Sequence, residues 1–529
     1  MGILQIRGLT SVVVFGLMAF VSMAPLAAAE DLTANETAAN GPLPGDVGLY
    51  AKELACAAAL PTPGYYSSIN GAEIADAQRS GVFPCATFTG SFDGPNRVFA
   101  WRSEGTYQGT SFLNNRKPGE LFILGGDFPP LKGPVPPGPF VAKVDATTGA
   151  QLWRTYLDNA NLSGQFIATL NLNILANGKV VVSWTNKIAL LDGDTGLILN
   201  VNTLPTGPAP TADASFKHVL VAPDGTLILK NQSRPTGSKD QGTMAMITGI
   251  QQGLKQANSM LVAVDPNTLT VLDSVELHEP ASTPHALTMF EGRIAIYISC
   301  TAYAYRYFWD PKAKKLSQDM SWVPAVSQEG QTAADAPTLM GDWIAIQTNG
   351  AGSKTKASSI VVVDQHDAKK MKTIFPFGQL KEGEFSFAPP KAGGDPENNL
   401  IYSSDMGIGK LAGIKLDPKT GDMKVVWSSD STSSSFMTLI GPKDKRVLLF
   451  SVMTPGATEA PIMQTVLGGK YKEKVTWWDA VTGRLIAESD FFEPLTQGSL
   501  LTPGFGGRVY FPTGKGFITM QVMPRLDRQ

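Results

Sequence analysis

The chain has 529 residues, of which 43% are hydrophobic and only 17% charged, a balance that excludes wholesale disorder. Lys and Arg number 44 against 46 Asp and Glu, a net charge of −2, which leaves no electrostatic footprint for DNA or RNA, whose affinity rests on neutralised phosphates. Gly and Pro (53 and 37 residues) make up about one position in six, the punctuation expected of an all-β fold and not of a helical bundle.

Residues 1–29 read as a secretory signal peptide. Arg7 supplies the positive start, Val12 to Met23 is apolar, Pro25 breaks the run, and Ala27-Ala28-Ala29 offers small residues for cleavage before Glu30. The alternative is a membrane anchor, since Gly8 to Ala29 is long enough to span. No Cys follows the apolar run, so lipid attachment at a new N-terminal cysteine is excluded. No later uncharged apolar stretch of roughly eighteen residues occurs. The mature chain is therefore expected to be secreted or periplasmic, with no membrane span.

Residues 30–96 form an N-terminal extension, with a short helix expected across Val47 to Leu60, where Ala, Leu, Lys and Glu dominate. Outside the cytosol a disulfide is permitted, and Cys56 with Cys85 would close a short loop; the alternative is three unpaired thiols. Cys300 follows the apolar strand Ile294 to Ser299 and reads as a buried free thiol.

A repeated phrase then begins: an apolar run, Asp, two or three residues, often Thr-Gly, and a second extended run. It appears at Asp145, Asp192, Asp265, Asp310, Asp364, Asp417 and Asp479, with spacings of 47, 73, 45, 54, 53 and 62 residues, a period near fifty with insertions. The phrase describes a β-hairpin, in which Asp accepts backbone N–H groups in the turn and Gly supplies positive φ. A second pair of strands precedes most copies, as in Val221 to Leu229 and Met289 to Ile296. Each unit thus reads as four antiparallel strands that must stack on neighbours around an axis, a β-propeller. Seven Asp-hairpins make seven blades. The orphan strand Arg97 to Trp101 and the strands between Ser499 and Met523 would close an eighth from both termini, offsetting the loop-closure cost of a long ring. The expected fold is thus an eight-bladed propeller over 97–523, with seven blades as the alternative and 524–529 as a tail. Lys230 to Met260, with a possible helix around Met244 to Ala257, and Pro455 to Lys474 read as rim insertions in the third and seventh blades.

The Asp-x-x-Thr-Gly-x-x-x-Trp phrase, clearest from Asp145 to Trp153, resembles the repeat of pyrroloquinoline-quinone-type propellers. That superfamily contains quinoprotein alcohol dehydrogenases and a non-enzymatic outer-membrane assembly propeller, so the resemblance implies architecture more than chemistry. The dehydrogenases carry adjacent cysteines beside the quinone, and this chain has no such pair. They hold Ca²⁺ or a lanthanide with carboxylates and an amide, and no motif here places that constellation. No Cys-x-x-Cys-His occurs for covalent haem. Pyrroloquinoline quinone with Ca²⁺ is thus a possible cofactor but not the favoured one. The assembly propeller is usually a lipoprotein, which this chain is not expected to be.

Propeller ligands sit at the channel mouth, near the starts of the innermost strands. Those starts supply His218, His285 and Asp335 as candidate acid/base or metal-binding groups, and Gln165, Lys217, Phe387 and Gln497 as candidate ligand contacts, with Phe166, Phe385 and Phe436 nearby. Each His could equally be a hydrogen-bonded group at a strand end. Trp153, Trp427, Trp477 and Trp478 read as packing between blades, and the repeated Asp residues as turn caps. Two functions remain: a binding or scaffold module that takes a small molecule or protein at the channel mouth or rim insertions, and, as the alternative, a divergent quinoprotein-type oxidoreductase acting on an alcohol-like substrate. A hydrolase or lyase using His218 and His285 has no nucleophile motif behind it. Whether the chain is an enzyme stays open at this stage.

Overall fold

The structure is a computed structural model and describes residues 41–525 apart from 61, 108–111, 127–137, 158–161, 163, 168–170, 240–251, 282, 352, 389, 434, 463, 466–470, 493–499, 514 and 515. Residues 1–29, expected to be a signal peptide, lie outside the described residues. Eight sheets, each built on four antiparallel strands, make an eight-bladed propeller. Blades 1 to 7 follow the chain, with innermost strands Phe112–Asn115, Asn171–Ile174, Ala214–Val221, His285–Phe290, Thr338–Met340, Gly393–Asp395 and Thr438–Ile440. Blade 8 is shared between the two ends of the ring. Thr502–Pro503, Arg508–Pro512 and Phe517–Pro524 form its inner three strands. Asn96–Arg102 adds the outer strand, with Asn96 opposite Pro524 and Arg102 opposite Ile518.

The repeated Asp residues cap their turns. Asp145 Oδ1 accepts the N–H groups of Thr147 and Thr148, both at 2.8 Å, and Asp479 Oδ1 accepts those of Val481 and Thr482 at 3.0 Å. These bonds satisfy backbone donors at each chain reversal. The glycine of the phrase has a second role, because an aromatic ring of the preceding blade lies on it. Trp153 covers Gly196, Trp343 covers Gly421 and Trp427 covers Gly483. A Cβ at Gly483, whose φ is +70°, would overlap the Trp427 ring. Gly483→Ala is therefore expected to destabilise by about 1–3 kcal/mol, read as a lower urea midpoint at unchanged slope. Trp477 is buried in the core shared by blades 7 and 8, and Trp478 stacks on Phe450 at 5.7 Å.

A 3₁₀ turn at Val47–Leu49 leads into the helix Tyr50–Ala59. The helix docks on blade 8: the buried carboxylate of Glu53 accepts the Gly506 N–H at 2.8 Å, and the Asp46 N–H donates to the Gly506 carbonyl at 3.0 Å. Cys56 and Cys85 form a disulfide with a Cα–Cα distance of 5.5 Å, and Cys300 is free and buried. In the blade 3 insertion, residues 252–257 are turn and irregular chain; residues 244–251 of the expected helix lie outside the described residues. Among the described residues no helix is long and apolar enough to cross a membrane.

Candidate functional site

Between the two cysteines the extension does not lie on the surface; it turns into the channel and plugs it. The Tyr66 N–H donates to Ile174 O at 2.9 Å, and the N–H groups of Ile174 and Asn115 donate to the carbonyls of Gly71 and Asn70. The Leu287 N–H donates to Ala77 O, and the Leu439 N–H to Gly81 O. Val82–Phe83 then runs parallel to Leu439–Ile440 as a fifth strand of blade 7. Most of these contacts lie at the exit ends of the innermost strands, so the plug closes the channel opposite the strand starts.

Charge fixes the tip of the plug. Glu73 lies 2.9 Å from Arg79 Nη1, and His218 Nδ1 lies 2.9 and 3.0 Å from the two Glu73 oxygens. Asn171 Nδ2 also donates to Glu73, whose own N–H donates to Asn173 Oδ1 at 2.8 Å. Burial alone would raise the Glu73 carboxyl, but Arg79 and then His218 outweigh it and hold it at about 2. Glu73 as acceptor requires His218 to carry its proton on Nδ1. His218 reaches the plug through a β-bulge between Lys217 and Leu220, where its own φ is +61°, a device that re-aims a side chain at local backbone cost.

His285 is fully buried in blade 4, with Nε2 3.1 Å from Ile228 O. Burial, helped by the Lys230 charge, pushes it down to about 3, and burial pushes His218 well below its ordinary value despite Glu73. Both imidazoles are therefore neutral in the fold. The unfolded chain protonates them near 6.5, so it binds more protons below that pH. Stability should fall on acidification through the window below 6.5, by about 1.4 kcal/mol per pH unit for each histidine. Glu73 adds to the loss in the same direction, as pH drops from its ordinary 4.5 towards about 2. Urea unfolding between about pH 7 and pH 5 checks the first part; a flat profile would mean that the folded state accommodates charged imidazoles.

Lys217 and Asp335 are crowded by protein yet keep some accessible surface. Burial lowers Lys217 to about 8 against the attraction of Asp335, and burial raises the Asp335 carboxyl against Arg79 and Lys217. Among the described residues the side-chain amine of Lys217 has no hydrogen bond or ion pair. Lys391, lowered to about 7 by burial and Arg79, donates to the Arg79 carbonyl. Lys230, also lowered to about 7 by burial, donates to the carbonyls of Asn231 and Ala281. The structure thus brings Lys217, His218 and Asp335 into one charge cluster around Arg79, while His285 sits beside it within blade 4. Gln165 and Phe387 stand on other blades. Gln165 is half-buried; Phe387 is fully buried, with its N–H on Asp405 at 2.8 Å. Phe385 stacks on it with its own ring 44% exposed. Gln497 lies outside the described residues.

Sequence reasoning missed Glu73, Arg79, Lys230 and Lys391. The nearest signal for the first two is opposite charges among small residues, Gly71-Ala-Glu-Ile-Ala-Asp-Ala-Gln-Arg79, a pattern that exposed segments show as well. On the plug's outer side a cleft of about 640 Å³ separates the helix and disulfide loop from Val221, Leu287, Met289 and Glu397. Among the described residues there is no group of three or more His, Cys, Asp or Glu side chains that could hold a metal ion.

These features define an eight-bladed propeller whose channel is sealed at one end by its own N-terminal segment and lined above the seal by buried amines and carboxylates. No protein-family model matches the chain, and no curated protein matches it. Solved structures do. A quinohemoprotein alcohol dehydrogenase from Comamonas testosteroni is similar at 13% identity, over 91% of this chain and 85% of that one, with a TM-score of 0.49. BamB from Moraxella catarrhalis is similar at 11% identity, over 80% of this chain and 97% of its own, with a TM-score of 0.45. Sqt1 from Saccharomyces cerevisiae is similar at 10% identity, over 81% and 98%, with a TM-score of 0.50. At these identities the likeness is one of fold.

Proposed function

We propose that the chain is an exported binding propeller, which takes a small molecule at the open end of its lumen or a protein at its rim. The observation that carries this reading is the plug. One end of the channel is filled by the chain itself, and His218, the more exposed of the two candidate histidines, is committed to holding it. His285 is committed to the Ile228 carbonyl. Among the described residues of the charge cluster around Arg79, an amine, Lys217, and a carboxylate, Asp335, keep accessible surface: groups that orient a polar ligand. The disulfide supports an oxidising compartment.

The test is a titration of the purified mature protein with pyrroloquinoline quinone, with and without Ca²⁺, following absorbance, melting temperature and reduction of an artificial acceptor with alcohols. The binding reading expects no saturable shift and no acceptor reduction. A quinone-dependent rise in melting temperature, as a ligand of the folded state produces, together with acceptor reduction, would replace it with the oxidoreductase reading.

A further inference from the structure

The cleft on the plug's outer side is a concave site that the lumen reading does not use. At about 640 Å³ it has the size of pockets that hold small molecules. Its walls come from three parts of the chain: the end of the helix, the plug, and the innermost strands of blades 3, 4 and 6. Much of the wall is apolar. Leu60 and Met289 line it and are 54% and 51% exposed, and the buried Val221 and Leu287 add to it.

The charge on these walls has one sign. Asp76, Asp395 and Glu397 line the cleft, and its described lining residues include no Lys, Arg or His. Arg446, behind the wall, pairs with Asp395 at 3.2 Å and also with Glu397, so one guanidinium answers two carboxylates. Asp76 accepts the Ser80 N–H at 3.1 Å and the Ser80 hydroxyl at 2.7 Å. Among the described residues it makes no ion pair. Burial raises the Asp76 carboxyl against those two bonds and the more distant Lys391 charge. A carboxylate so placed is short of positive charge.

We propose that the cleft binds a small amphipathic amine, with its apolar body against Leu60, Leu287 and Met289 and its ammonium at Asp76. The ammonium brings three N–H donors and the positive charge that the wall lacks. An alcohol of the same shape leaves that charge unanswered, and a carboxylate adds a like one. The site lies across the plug from the open end of the lumen, so it stands or falls separately from the binding reading proposed there.

Calorimetric titration of the full mature chain, disulfide intact, with hexylammonium, hexanol and hexanoate tests this. Hexylammonium should bind saturably and raise the melting temperature. Hexanol should bind about tenfold more weakly, the cost of losing a charge-assisted hydrogen bond, and hexanoate not at all. Asp76→Asn should bring hexylammonium down to the affinity of hexanol. If that variant folds poorly, Met289→Lys takes its place. It sets a fixed ammonium at an exposed point of the wall, and should abolish hexylammonium binding while the free protein keeps its melting temperature. Glu291→Gln, at an exposed carboxylate outside the cleft, should change nothing. Hexylammonium that fails to bind overturns the proposal, as does equal affinity for hexanol, which would make the cleft merely apolar. Binding that survives both Asp76→Asn and Met289→Lys also overturns it, by placing the amine elsewhere.

Discussion

Glu73→Ala is expected to lower stability by about 3–5 kcal/mol, the cost of leaving one partner of a buried ion pair behind. Arg79 is fully buried and two of its nitrogens, Nε and Nη2, already have no hydrogen-bond partner. Glu73 neutralises it, orders His218 and accepts from Asn171, so the alanine would orphan three buried polar groups at once. The measurement is a urea titration at neutral pH, and a loss within experimental error of zero would show that the plug tip does not contribute to stability. The double replacement Glu73→Leu, Arg79→Met should recover much of the loss, because an apolar pair of similar volume is often neutral or better where a buried ion pair stood. Recovery would separate the cost of a stranded charge from the cost of losing the plug's packing.

Replacing both cysteines, Cys56→Ser with Cys85→Ser, is expected to cost about 2–4 kcal/mol. The bond closes a loop with a sequence separation of 29 residues, and that loop contains the plug. Cutting it therefore relaxes the unfolded chain and also frees the helix Tyr50–Ala59 from the segment it brackets. Two readouts distinguish these effects. Guanidinium unfolding reports the global loss. Limited proteolysis under native conditions reports whether residues near Leu60 to Pro63 become cleavable while the blades stay intact. Wild-type protein treated with reductant should match the variant, and unchanged unfolding in both would remove the disulfide from the stability account.

The ring was legible because its signal is repeated. Asp145 to Trp153 states the hairpin once, six further copies set the spacing, and two unpaired strand patterns at opposite ends of the chain imply the clasp that the structure closes at Asn96–Arg102 and Phe517–Pro524. Cys56 and Cys85 were readable for a similar reason, as the two cysteines of one extension. The plug was not legible. Asn70 to Gly81 has no helical or strand period to read, and it meets its partners one residue at a time across six blades. Lys217 and His218 show the limit most directly. Adjacent in sequence and singled out together, they are parted by a bulge, so that one lines the lumen and the other holds the plug. Periodicity places strands, whereas a bulge is set by the tertiary partner that needs the side chain.

The plug also reverses the usual order of a protein's assembly in time. Residues 69–83 leave the ribosome before any blade, yet they touch blades 1, 2, 3, 4, 6 and 7. The parallel partner of Val82 is Leu439, made 357 residues later (439 minus 82). At about 5–20 residues per second that is an interval of roughly 20 to 70 seconds. The hub is made long before its wheel is complete: Asn171 and His218, which bind Glu73, follow it by 98 and 145 residues. The blades arrive onto it in turn, and the last strand synthesised, Phe517–Pro524, locks the rim by pairing with one of the first.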